Sequence, residues 1–168
     1  MRKIFCLLAA GLFLNGCRSP EYAIAAVKDF NAEKYMGKWY EFARLPNWFE
    51  KDMNRVTATY TMLPDGKIKV VNQGEISGQI RRISGFARPA DDSGSGELEV
   101  AFFRPFYSPY RIIKLADDYR YSIVAGSDEN YLWVLSRTPQ ISPADWQEIS
   151  AFLEENGLPK NKLIYPWN

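Results

Sequence analysis

None of the 168 residues is a histidine, which removes the commonest general base and the commonest metal ligand together. No Ser–His–Asp or Cys–His pairing can be assembled. The only cysteines are Cys6 and Cys17. Carboxylates and tyrosines could still move protons, but none is paired in a pattern that points to a reaction. The expectation is a protein that is not an enzyme and carries neither metal nor cofactor. The chemistry left is stacking, apolar burial and hydrogen bonding by aromatic side chains. Trp39 and Tyr40, adjacent in Gly37-Lys38-Trp39-Tyr40-Glu41, pose that case most sharply. Neighbours on a strand point to opposite faces, so the two rings must serve different surroundings.

The amino terminus has its own chemistry. Arg2 and Lys3 precede an almost wholly apolar run from Ile4 to Leu14, the pattern of a secretory signal. Leu14-Asn15-Gly16-Cys17 resembles a lipobox, the processing site of bacterial lipoproteins, with Asn15 where a small or apolar residue is usual. Residues 1–16 are then the signal, Cys17 the lipidation site, residues 17–28 a tether and residues 29–168 one domain. The alternative is an ordinary signal followed by an unpaired cysteine. Several acyl chains, at about 0.8 kcal/mol per buried methylene, make a firm membrane anchor. Loss of Arg2 and Lys3 leaves 19 basic against 20 acidic side chains, a balance that argues against a nucleic-acid partner.

Beyond Tyr35 the texture is that of short strands. Val56 to Thr61 alternates, Pro64-Asp65-Gly66 is a turn, and Lys67 to Asn72 returns, which together read as a hairpin. Ile80–Ala87, Glu97–Phe103, Tyr110–Leu115, Tyr121–Ala125 and Tyr131–Arg137 continue the series, and a last short strand is expected at Lys162–Tyr165. The prolines of Phe102 to Tyr110 predict a loop there. One helix interrupts the pattern. Ser142 caps it, Pro143 starts it, and Trp146, Ile149, Phe152 and Leu153 form one apolar stripe before Asn156-Gly157. Such a series predicts a sandwich or an up-and-down barrel.

These motifs together resemble the lipocalin family, specifically its bacterial outer-membrane lipoprotein group. Gly37-Lys38-Trp39-Tyr40-Glu41, Asp117-Asp118-Tyr119 with Tyr121 to Gly126, and Tyr131 to Pro139 carry the likeness, which covers about residues 28–165. The second motif departs from the usual Thr-Asp-Tyr by having Asp117. The resemblance implies an all-β, eight-stranded antiparallel barrel with one C-terminal helix packed outside. It also implies that Trp39 closes the barrel's base under Arg137. The implied ligand is a fatty acid, phospholipid or lysophospholipid, held for storage or transport in the cell envelope. Arg18 after the acylated cysteine implies the outer membrane, facing the periplasm; a homodimer is an open option.

If Trp39 points inward, alternation turns Leu135, Trp133 and Tyr131 inward and Leu132 and Val134 outward, under the helix stripe. The expected lining is apolar with a few hydroxyls: Ala58 and Tyr60, Leu98, Val100 and Phe102, Tyr110 and Ile112, then Tyr131, Trp133 and Leu135. Val56, Ile68 and Val70 join them as inward residues. Arg104 or Arg111 could meet a phosphate. The aromatic segment reads either as an apolar lip for acyl chains, a membrane or a second copy, or as a loop packed on itself. Two alternatives to a carrier are a scaffold with a filled barrel and a lipid-modifying enzyme.

Overall fold

The computed structural model describes residues 24–128 and 130–167. The expected signal, Cys17, Arg18 and the start of the tether lie outside them. Eight antiparallel strands follow one another: β1 Gly37–Arg44, β2 Asn54–Met62, β3 Ile68–Ile76, β4 Gln79–Pro89, β5 Glu97–Phe103, β6 Phe106–Leu115, β7 Tyr121–Ala125 and β8 Leu132–Ser136. Each pairs with the next, and β8 pairs back to β1, so the sheet closes with no free edge. A short helix α1, Ala32–Tyr35, precedes β1, and α2, Pro143–Glu155, follows β8. Ser142 caps α2 by accepting from the Asp145 N–H, as its sequence predicts.

Two apolar layers result. Inside the barrel, Trp39, Ala58, Tyr60, Ile68, Val70, Leu98, Ile112 and Leu135 pack together. Outside it, Leu132 and Val134 lie beneath Ile149 and Leu153 of α2. The register expected from alternation is therefore the one observed. Tyr40 faces outward, with Trp167 5.2 Å from its ring.

The base is a single knot. The Arg137 guanidinium sits 3.8 Å from the centre of the Trp39 ring. It donates to the carbonyls of Lys34, Met36, Lys38 and Tyr119. Trp39 in turn donates its indole N–H to the Tyr35 carbonyl at 2.8 Å. Gly37 enters β1 with φ +94°, a backbone conformation that residues with a side chain rarely adopt.

Three expectations need correction. The Phe102–Tyr110 segment is a hairpin whose turn is only Arg104-Pro105; β6 already begins at Phe106. Pro109 is tolerated inside β6 because it pairs with Glu99 beyond Arg111↔Ala125, the last registered pair with β7, so its missing N–H falls at an edge-like position. The last segment is not a strand: a 3₁₀ turn, Lys160–Lys162, leads to one bridge, Ile164 to Arg44. Residues 24–28 are not free tether either. Val27 donates to the Ile112 carbonyl and accepts from the Gly96 N–H, so the chain lies on the barrel before residue 29.

Trp39 is fully buried, and its removal leaves a large void under a stranded cation. Trp39→Ala is expected to destabilise the fold by about 3–5 kcal/mol, read from the urea midpoint.

Candidate functional site

The interior residues differ in how completely they are buried. Ala58, Tyr60, Leu98, Ile112 and Leu135 are buried core and fill the lower barrel. Val100, Phe102, Tyr110, Tyr131 and Trp133 retain partial exposure and line the upper part. Gly85 makes room for one of these rings, since a Cβ there would come within 2.8 Å of Phe102. The ten residues expected to line the barrel thus divide into a floor and a wall.

Between floor and wall runs a chain of hydroxyls. The Tyr110 hydroxyl is 2.8 Å from that of Tyr60 and 2.9 Å from that of Tyr35, and Tyr35 reaches Ser122 at 3.4 Å. Burial pushes the Tyr35 phenol up to about 12 and holds Tyr60 and Tyr110 well above the usual value. All three stay neutral at physiological pH, as hydrogen-bonding groups rather than charges.

The charged part of the interior is not legible as such in the sequence. The β1 register shifts between Glu41 and Ala43. Phe42 and Ala43 both turn outward, toward Trp146 and the α2 layer. Glu41 and Arg44 therefore both turn inward, each almost fully buried. Glu50 joins them from the β1–β2 loop, held by Asn47 through its N–H and its carboxylate. Arg44 donates to Glu41 at 2.5 Å and to the carbonyls of Glu50 and Met53, tying the loop to the wall. The Trp133 indole N–H donates to Glu50 at 3.0 Å. The lining is thus not just apolar with hydroxyls. Inward Glu41 follows from alternation with Trp39; Arg44 does not, because the bulge reverses its face.

Of the two arginines considered for a phosphate, Arg104 stacks on the Phe86 ring outside the barrel. Arg111 engages Glu97 and the Ile24 carbonyl. Neither points into the lumen. A surface hollow of about 730 Å³ opens near the α2 N-terminus. Its arginines are already engaged, Arg120 by Asp118 and Asp145 and Arg137 by backbone carbonyls. Among the described residues no cluster of carboxylates and cysteines is arranged to hold a metal.

A closed eight-stranded barrel with a ring-and-guanidinium plug at its base and an external C-terminal helix defines a lipocalin. The chain belongs to that family: the lipocalin-like domain matches residues 30–168. It is 40% identical to the outer membrane lipoprotein Blc of Vibrio cholerae, over 98% of both chains. It is 38% identical to Blc of Escherichia coli K12, over 93% of this chain and 90% of that one. Mouse apolipoprotein D is 31% identical, over 95% of this chain and 91% of that one. Among solved structures, insecticyanin from the tobacco hornworm superposes with a TM-score of 0.72 over 85% of this chain and 83% of that one, at 19% identity, a likeness of fold alone. Family membership assigns the barrel the general task of holding a hydrophobic ligand; lipocalins are generally binding and transport proteins.

Glu41 supplies a pH test of the charged cluster. Burial, then the neighbouring Glu50, holds its carboxyl well above the ordinary 4.5, despite Arg44. The folded chain keeps a proton there that the unfolded chain has lost, so stability falls as pH rises from about 4.5 through the raised value. Glu41→Gln is expected to flatten that part of the profile, measured as urea midpoints across the pH range.

Proposed function

We propose that this chain carries one single-tailed amphiphile, a fatty acid or lysophospholipid, in the upper barrel, as a lipid-anchored protein of the bacterial envelope. The observation that carries the reading is the partly exposed wall of Val100, Phe102, Tyr110 and Trp133 above a packed floor. A lumen lined this way accepts an acyl chain by apolar burial, at about 25 cal/mol per Å². The polar end is left near the mouth, where Tyr131 and Trp133 lie. Phe103 and Phe106 at the β5–β6 tip, and Trp48 on the β1–β2 loop, are strongly exposed and form an apolar lip for entry.

Acylation at Cys17 and residence in the outer membrane, facing the periplasm, are supported by the lipobox-like sequence and by relatives named outer membrane lipoproteins. Storage or transport of envelope lipid is the corresponding role.

The test is extraction and mass spectrometry of lipid from the purified protein, with titration of the stripped protein by a C16 lysophospholipid. Bound lipid and quenching of tryptophan fluorescence that disappears in Trp133→Phe are expected. Val100→Trp, which fills the upper lumen, is expected to weaken binding at least about tenfold while costing about 1–3 kcal/mol of stability or less. No extracted lipid together with no quenching would leave the barrel a scaffold.

A further inference from the structure

Three rings gather at the mouth. The centroids of Phe49, Tyr131 and Trp133 are 6.0, 6.2 and 6.4 Å apart, with planes inclined by 17–38°. Phe49 is 45% exposed and the other two are partly exposed, so the patch is open to solvent. Directly behind it lies the Glu50 carboxylate, bonded to the Trp133 indole N–H. A carboxylate accepting from the indole pushes electron density onto the ring and makes its face more attractive to a cation.

Two carboxyl groups, Glu41 and Glu50, are buried around a single guanidinium, and burial holds the Glu41 carboxyl toward its neutral form. Arg44 has turned its NH1 and NH2 to Glu41 and to the Glu50 and Met53 carbonyls; its Nε lies 3.8 Å from Glu50. That Nε makes no hydrogen bond, and the Glu50 carboxylate balances the charge of the guanidinium. The mouth offers aromatic faces backed by the Glu50 carboxylate, while the candidate arginines Arg104 and Arg111 are engaged elsewhere.

We infer that the mouth formed by Phe49, Tyr131, Trp133 and Glu50 is a binding site for a cationic ammonium group, so the ligand's head is amine-bearing and zwitterionic rather than purely anionic. This rests on the carrier reading above. A trimethylammonium would be held by the ring faces, and a primary ammonium would add a hydrogen bond to the Glu50 carboxylate. A fatty-acid carboxylate placed at the same mouth would face Glu50 and be repelled.

The test holds the tail constant and varies the head. The lipid-stripped protein is titrated, by tryptophan quenching, with C16 lysophosphatidylcholine, lysophosphatidylethanolamine, lysophosphatidylglycerol and palmitate. Both amine-bearing lipids are expected to bind roughly tenfold or more tightly than the two anionic ones. Glu50→Gln is expected to shrink that ratio to about twofold. Tyr131→Leu is expected to weaken the choline lipid more than the ethanolamine lipid, separating ring contact from hydrogen bonding. Equal binding of all four lipids, or tighter binding of the anionic pair, overturns the head-group site and leaves the carrier reading standing. Binding of none overturns the carrier reading itself. Should Glu50→Gln fail to fold by circular dichroism, the wild-type series and Tyr131→Leu still decide the question.

Discussion

One backbone irregularity organises the molecule. At the β1 bulge, Phe42 and Ala43 both face the helix, so Glu41 and Arg44 both face the lumen. Without it, strict alternation would turn Arg44 to the face where α2 docks. The extra residue also binds the two layers of the fold to each other. Phe42 packs on Trp146 and Tyr165 outside while its neighbours hold the β1–β2 loop inside. The position of the loop over the mouth is thereby coupled to the seating of the helix on the wall.

The two ends of the barrel use arginine in different ways. Arg137 at the base is stacked on Trp39 and surrounded by carbonyls, with no carboxylate among its hydrogen-bond partners. It caps chain segments that the closing strands leave without partners. Arg44 near the mouth has carboxylates on two sides and is nearly sealed from water. Desolvating such charges costs several kcal/mol per ion, offset only by close pairing and further hydrogen bonds. A buried cluster of that kind is weak evidence for stability, which is why its role is sought in what it presents to the lumen.

Much of this was readable in the residues. The Gly37-Lys38-Trp39 motif, the alternation through Trp133 and Leu135, and the stripe from Trp146 to Leu153 agreed on one register because each obeys a fixed period. Departures arose where a period is broken or a contact is distant in sequence. The bulge changes the face of Arg44 without altering its neighbours. Glu50 reaches the lumen only because its loop folds back 83 residues away from Trp133. Pro109 looked like a strand breaker because its tolerance depends on where β7 stops, which no local pattern records.

The hydroxyl chain from Tyr60 through Tyr110 and Tyr35 to Ser122 has a property of its own. Four hydroxyls joined by three hydrogen bonds have one hydrogen left over, and either oxygen in each link can be the donor. If every donor points one way, the spare hydrogen lies at Tyr60; reversed, it lies at Ser122. The floor beneath a ligand can therefore switch which end carries a free proton and which bare lone pairs, by rotating O–H bonds alone and moving no heavy atom. Such a surface has no fixed polarity, and cargoes that differ in what they ask of the barrel floor can be met by one rigid frame.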